Sequence, residues 1–184
     1  MFRRFSLIAA FAAVPAIASA QANPVATAFK ATAARQARNL VAAAEEMPAG
    51  KYGYKPTPAQ MSFGDIVDHL AEGNDYLCGV IGGSKAPTRA KVSVKDGKDK
   101  QVARLKETFE FCNTALANLT DARLDEQLDI FGTKMTRAGA EFLTVGDWAD
   151  HYSQFANYLR INGMLPPTAK PAPKPAVKPT AKKK

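Results

Sequence analysis

Val102-Ala-Arg-Leu-Lys-Glu-Thr-Phe-Glu-Phe-Cys-Asn-Thr-Ala-Leu-Ala-Asn-Leu119 is the stretch from which the architecture of this chain unfolds. Val102, Leu105, Phe109, Cys112, Leu116 and Leu119 follow the i, i+3, i+4 template without a gap, so one stripe of a helix is apolar and needs a partner. Upstream, Ser62 with Asp65 three residues on resembles a capping arrangement. It opens a second helix with Phe63, Ile66, Val67, Leu70, Leu77 and Ile81 on its apolar face, stopping at Gly82-Gly83. Residues 84–98 are polar and loop-like. Further back, Asn23-Pro24 reads as a cap with Pro at the first helical position. Val25, Phe29, Ala33, Leu40, Ala44 and Met47 then recur at helical spacing until Pro48, and a Gly/Tyr/Pro-rich loop runs to Met61. Downstream, residues 120–143 are mixed, and Gln127 to Thr136 suits a short extended stretch. The spacing predicts a fourth helix from near Thr144, with Trp148, Tyr152, Phe155 and Leu159 on one face, ending at Gly163. Four such stripes predict an all-α four-helix bundle.

The formal charge of +8 is confined to the ends of the 184 residues. Arg3 and Arg4 lie at the start, and Lys170, Lys174, Lys178, Lys182, Lys183 and Lys184 at the finish, with no Asp or Glu in either segment. Taking these eight from 25 leaves 17 Lys+Arg against 17 Asp+Glu, so residues 21–166 are formally neutral. A nucleic-acid-binding domain carries its excess charge on the folded surface, and that class is excluded on this ground. Residues 1–20 read as a cleavable secretory signal: a positive start, an apolar run from Phe5 to Ile17, and small residues at Ala18-Ser19-Ala20. The expected location is therefore periplasmic or secreted. Residues 167–184 contain only Pro, Thr, Ala, Lys and one Val. They are expected to form a disordered tail, either a solvated spacer or a contact for an anionic envelope surface.

The stretch His151-Tyr-Ser-Gln-Phe-Ala-Asn-Tyr-Leu-Arg-Ile-Asn-Gly-Met-Leu-Pro-Pro167 resembles the closing segment of DinB-like proteins. That segment typically reads His-Tyr-Gly, then Tyr-Leu-Arg, then Gly and Pro-Pro. Glu46-Met47-Pro48 leading to Tyr54-Lys55-Pro56-Thr57, and Ser62-Phe63-Gly64 leading to Asp68-His69, agree with the same family in the same order. The resemblance implies up-down-down-up connectivity with helices two and three parallel, and self-association as a homodimer. It also implies a divalent-metal site built from one His on helix two and a His-x-x-x-His pair on helix four. Some members are thiol-dependent transferases or isomerases, and a shared fold does not transfer an activity.

Carried onto this chain, the implied ligands are His69, Asp147 and His151, with Asp147 where the family pattern has His. Residues four apart share a helical face, and two His with one carboxylate suit Zn, Ni or Fe. The alternative is a pair of border histidines hydrogen-bonded within the bundle. Levelling His69 with His151 on antiparallel helices requires a stagger of about 8 Å at the usual rise. The only cysteines, Cys78 and Cys112, lie at matching depths in a parallel helix pair, which points to a disulfide in an oxidising compartment. Two buried thiols are the other option. Tyr52, Tyr54 and Trp148 are candidates to line a cleft or simply to pack. No phosphate loop or nucleophile motif is present, so the expected activity is at most that of a metal-dependent hydrolase or transferase. The alternative class is a non-enzymatic envelope binding protein with a basic tail.

Overall fold

The computed structural model describes residues 23–171; the signal-peptide reading of residues 1–20 and most of the tail lie outside them. The elements are α1 (Pro24–Glu46), α2 (Phe63–Gly82), α3 (Lys98–Leu116), an antiparallel hairpin of β1 (Gln127–Ile130) and β2 (Thr133–Thr136), and α4 (Arg137–Ile161). Single 3-10 turns occupy the connections, including Pro167–Ala169. No helix among the described residues is long and apolar enough to cross a membrane.

Cross-helix contacts fix the directions. Gly64 accepts from Gln101 Nε2, Asn74 donates to Thr108, and Cys78 is bonded to Cys112, so positions on α2 and α3 ascend together. Phe63 stacks on Phe155, His69 meets His151, and Asn74 accepts from Trp148, so α2 and α4 run in opposite directions. Lys98 reaches the carbonyl of Glu45, whereas Lys30 reaches that of Ala117, so α1 opposes α3. The parallel pair is in tight backbone contact at Gly82, where an added Cβ would lie 2.3 Å from the carbonyl oxygen of Ala115. Only glycine permits that approach. Leu40, Met47, Phe63, Ile66, Leu70, Leu105, Trp148, Phe155 and Leu159 fill the shared core.

The capping reading holds at α2, where Ser62 and Asp65 make reciprocal hydrogen bonds. It does not hold at α1. The Asn23 side chain makes no cap hydrogen bond to its own helix; its oxygen accepts from Asp121 N. Asp121 in turn accepts from the free N–H groups of Val25 and Ala26. A carboxylate there also suits the positive end of the helix dipole.

Helix α4 begins at Arg137, seven residues before the expected start, with Thr136 as its N-cap. Its first turns invert the usual pattern. Arg137 and Glu141 are buried, while Phe142 is 71% exposed, so apolar periodicity cannot find them. Arg137 donates to Glu126 at 2.6 Å, and burial raises the Glu141 carboxyl above its ordinary range. Glu126 also accepts from Arg123, and these two guanidiniums hold its pKa at about 2 instead of near 4.5. A depressed carboxyl stabilises the fold above its unfolded pKa and loses that contribution as pH falls toward the folded value. Melting curves should therefore show Glu126→Gln less stable than wild type at neutral pH. That difference should shrink between about pH 4.5 and 2; a gap independent of pH would refute the coupling.

The hairpin turn is Phe131-Gly132, with φ of 52° and 81°. Two positive values are the pattern of a type I′ turn, which favours Asn-Gly. A phenylalanine in this region costs about 1–2 kcal/mol. Tyr76 holds it there: its hydroxyl accepts from Phe131 N at 2.9 Å and donates to Asp129 O, and the two rings stack at 4.5 Å. At the other end, residues 167–170, expected to open the disordered tail, are ordered around a 3-10 turn at Pro167–Ala169. Thr168 hydrogen-bonds the Tyr152 hydroxyl, and Lys170 pairs with Glu46, which anchors this turn against the bundle.

Candidate metal centre

One ligand atom from each of His69, Asp147 and His151 lies within 4.8 Å of the other two. Asp147 and His151 are one turn apart on α4, with Asp147 Oδ1 3.5 Å from His151 Nε2. His69 comes from α2, its ring centroid 5.0 Å from that of His151. The required stagger is real: Phe63 at the start of α2 stacks on Phe155 and lies beside Tyr158, so the last turn of α4 overhangs α2. The loop before α2 packs on the overhang, with Tyr54 edge-on to Tyr158 and the Tyr158 hydroxyl donating to Met61 O.

The three side chains differ in burial: His69 is exposed, Asp147 half-buried and His151 buried. Gln154 orients His151. Its amide nitrogen donates to Asp150 at 3.0 Å, so its oxygen faces His151 Nδ1 at 3.3 Å. That network assigns the proton to Nδ1 and turns Nε2 toward Asp147. Ligating histidines are usually fixed in this way, by a hydrogen bond from the second ring nitrogen. With the lone pair of Nε2 facing a carboxylate, a cation between them is favoured. Without a metal, the hydrogen bond to Asp147 favours the protonated ring and raises the His151 pKa above its ordinary value.

The residues fit a divalent ion. Tetrahedral ligands at the usual bond lengths stand about 3.4 Å apart. The Asp147–His151 pair already has 3.5 Å, and His69 offers a nitrogen within 4.8 Å of both, so a small rotation of its ring would complete the set. Three protein ligands leave positions open for water or substrate.

Behind the site lies a buried polar chain absent from the sequence reading. Trp148 Nε1 donates to Asn74 Oδ1, Asn74 Nδ2 to Thr108 Oγ1, and Thr108 to Leu105 O. It locks Trp148 and the facing turns of α2, α3 and α4. Beside the triad opens a cleft of about 130 Å³ lined by His69, Asp147 and Trp148 together with Leu70, Leu143 and Phe131. Of the three candidate cleft aromatics, Trp148 lines it; Tyr52 is buried with its hydroxyl on Ala44 O, and Tyr54 packs on Tyr158. Gln154 had a legible signal, three residues after His151. Asn74, Thr108 and Phe131 had none.

A four-helix bundle with two histidines and a carboxylate converging between α2 and α4 defines a class of potential metal-binding bundles. The sequence matches the DinB superfamily over residues 32–157, more than half of the chain, and the protein belongs to that family. Among solved structures it is similar to a DinB-like protein from Bacillus subtilis, at 21% identity and a TM-score of 0.58, covering 77% of this chain and 93% of that one. A DinB-like protein from Bacillus cereus ATCC 10987 matches at 14% identity and a TM-score of 0.62, covering 77% and 95%. These likenesses show the shared fold. No curated protein matches the chain.

Proposed function

We propose that this chain is an exported DinB-family protein that binds a divalent cation (Zn, Ni or Fe) through His69, Asp147 and His151, and that it acts as a metal-dependent hydrolase or transferase. The observation that carries the metal reading is the convergence of three donor atoms within 4.8 Å, with His151 already oriented by Gln154. A bound cation would supply Lewis acidity toward a carbonyl or phosphoryl oxygen. The residues themselves hold that position at the mouth of an apolar cleft, and Asp147 balances part of the charge. The test is elemental analysis of protein purified without a polyhistidine tag, then reconstituted with Zn, Ni and Fe. Near one equivalent supports the reading, and its absence after all three reconstitutions removes it.

A second reading is favoured by the confinement of net charge to the chain ends. Here the bundle is a non-enzymatic binding protein, and the basic C-terminal segment contacts an anionic envelope surface. Each exposed cation adds modest, salt-sensitive attraction. Deleting residues 172–184 should release the protein from envelope fractions at low salt; unchanged association would exclude this role.

A further inference from the structure

Phe131 is difficult to explain by packing. It occupies a backbone conformation that favours Gly or Asn, yet 68% of its surface is exposed, so burial does not compensate the strain. Tyr76 holds the turn in place by a hydrogen bond and a ring stack. Strain retained under such restraint is a pointer to function. What the strain achieves is placement, because Phe131 forms one wall of the cleft beside the metal triad.

The other walls define what enters. Leu70, Leu77 and Leu143 are apolar, and Gly73 offers no side chain. The polar atoms of Trp148 and Asn74 are engaged with each other and with Thr108. The remaining polar groups lining the cleft are His69 and Asp147, at its metal end. The volume of about 130 Å³ is close to that of apolar protein cavities that take one benzene ring. We infer that the cleft is a subsite for a small aromatic group, with Phe131 as its specificity-determining residue. The ligand class is a single benzene-sized ring carrying one metal-binding polar group. This inference rests on the metal reading for that polar group, but the ring subsite has its own readout.

Trp148 is the only tryptophan and lines the cleft, so its emission reports occupancy. The full chain is titrated with benzohydroxamate and with acetohydroxamate, once loaded with zinc and once in excess chelator. Benzohydroxamate should bind about tenfold tighter in both states, as expected for aromatic contact beyond simple burial. In Phe131→Asn the preference should fall to within a factor of about two, with zinc content unchanged. Asn suits the positive φ, so an undiminished melting temperature shows that the turn is retained. Equal affinity of the two probes for wild type, or a preference that survives Phe131→Asn, overturns the subsite. Discrimination by a protein that takes up no zinc on reconstitution without chelator supports the subsite and removes the metal reading; zinc uptake without discrimination does the reverse.

Discussion

Replacing His151 by Ala is expected to weaken zinc binding by about 100-fold or more, because even the loss of an orienting partner costs 10–100-fold. The effect should be readable without an activity. A cation present at a hundred times its Kd stabilises the folded state by about 2.7 kcal/mol. In a domain of this size that raises the melting temperature by several degrees, at about 2–4 °C per kcal/mol. Wild type should show this rise on zinc addition, and His151→Ala should not. Gln154→Ala should lie between them, since it frees the ring without removing the ligand. Asp147→His should strengthen binding, because imidazole is the better donor for Zn and Ni. A His151→Ala variant that gains as much from zinc as wild type would place any bound metal elsewhere.

Loss of the Cys78–Cys112 disulfide is the second large expected effect. The bridge spans 34 residues, and closing a loop of that length in the unfolded chain contributes about 3–4 kcal/mol on the chain-entropy model. Reductant should therefore lower the melting temperature by about 10 °C, and Cys78→Ala/Cys112→Ala should melt near the reduced wild type. The bridge joins two helices that run in the same direction, linked by a crossover of residues 83–97 that includes one 3-10 turn. Because the constraint acts on the unfolded chain, its loss should speed exchange of the slowest core amides in all four helices, with any additional local opening falling around Cys78 and Cys112. A melting temperature indifferent to reductant would overturn the expected contribution of the bridge.

The legibility of the sequence followed its chemistry. Where apolar residues faced the core at regular spacing, as in α2 and α3, the helices could be read nearly to their ends. The start of α4 could not, because Arg137, Glu141 and Thr144 face inward while Phe142 faces out. The cap of α1 was invisible for a different reason: Asp121 lies 95 residues from Ala26, and no local pattern reveals a contact at that range. The metal-site candidates were legible through family resemblance, and the i, i+4 spacing of Asp147 and His151 gave independent support. Asn74 and Thr108 looked like ordinary polar helix residues; only the fold shows that they are buried and joined to Trp148.

The directions of α1 and α4 have a mechanical consequence. Both oppose one of the parallel pair, so they point the same way, and the first and last described residues emerge at opposite poles. Helix α1 has 23 residues, which sets those poles about 35 Å apart. The C-terminal pole is moored to the bundle by Tyr152–Thr168 and Lys170–Glu46 before the chain continues. A chain tethered by its basic end would therefore stand upright on its anchor, with the hairpin pole facing outward. Tension between the two ends would act along the helix axes, loading α1 and α4 in shear across their full length.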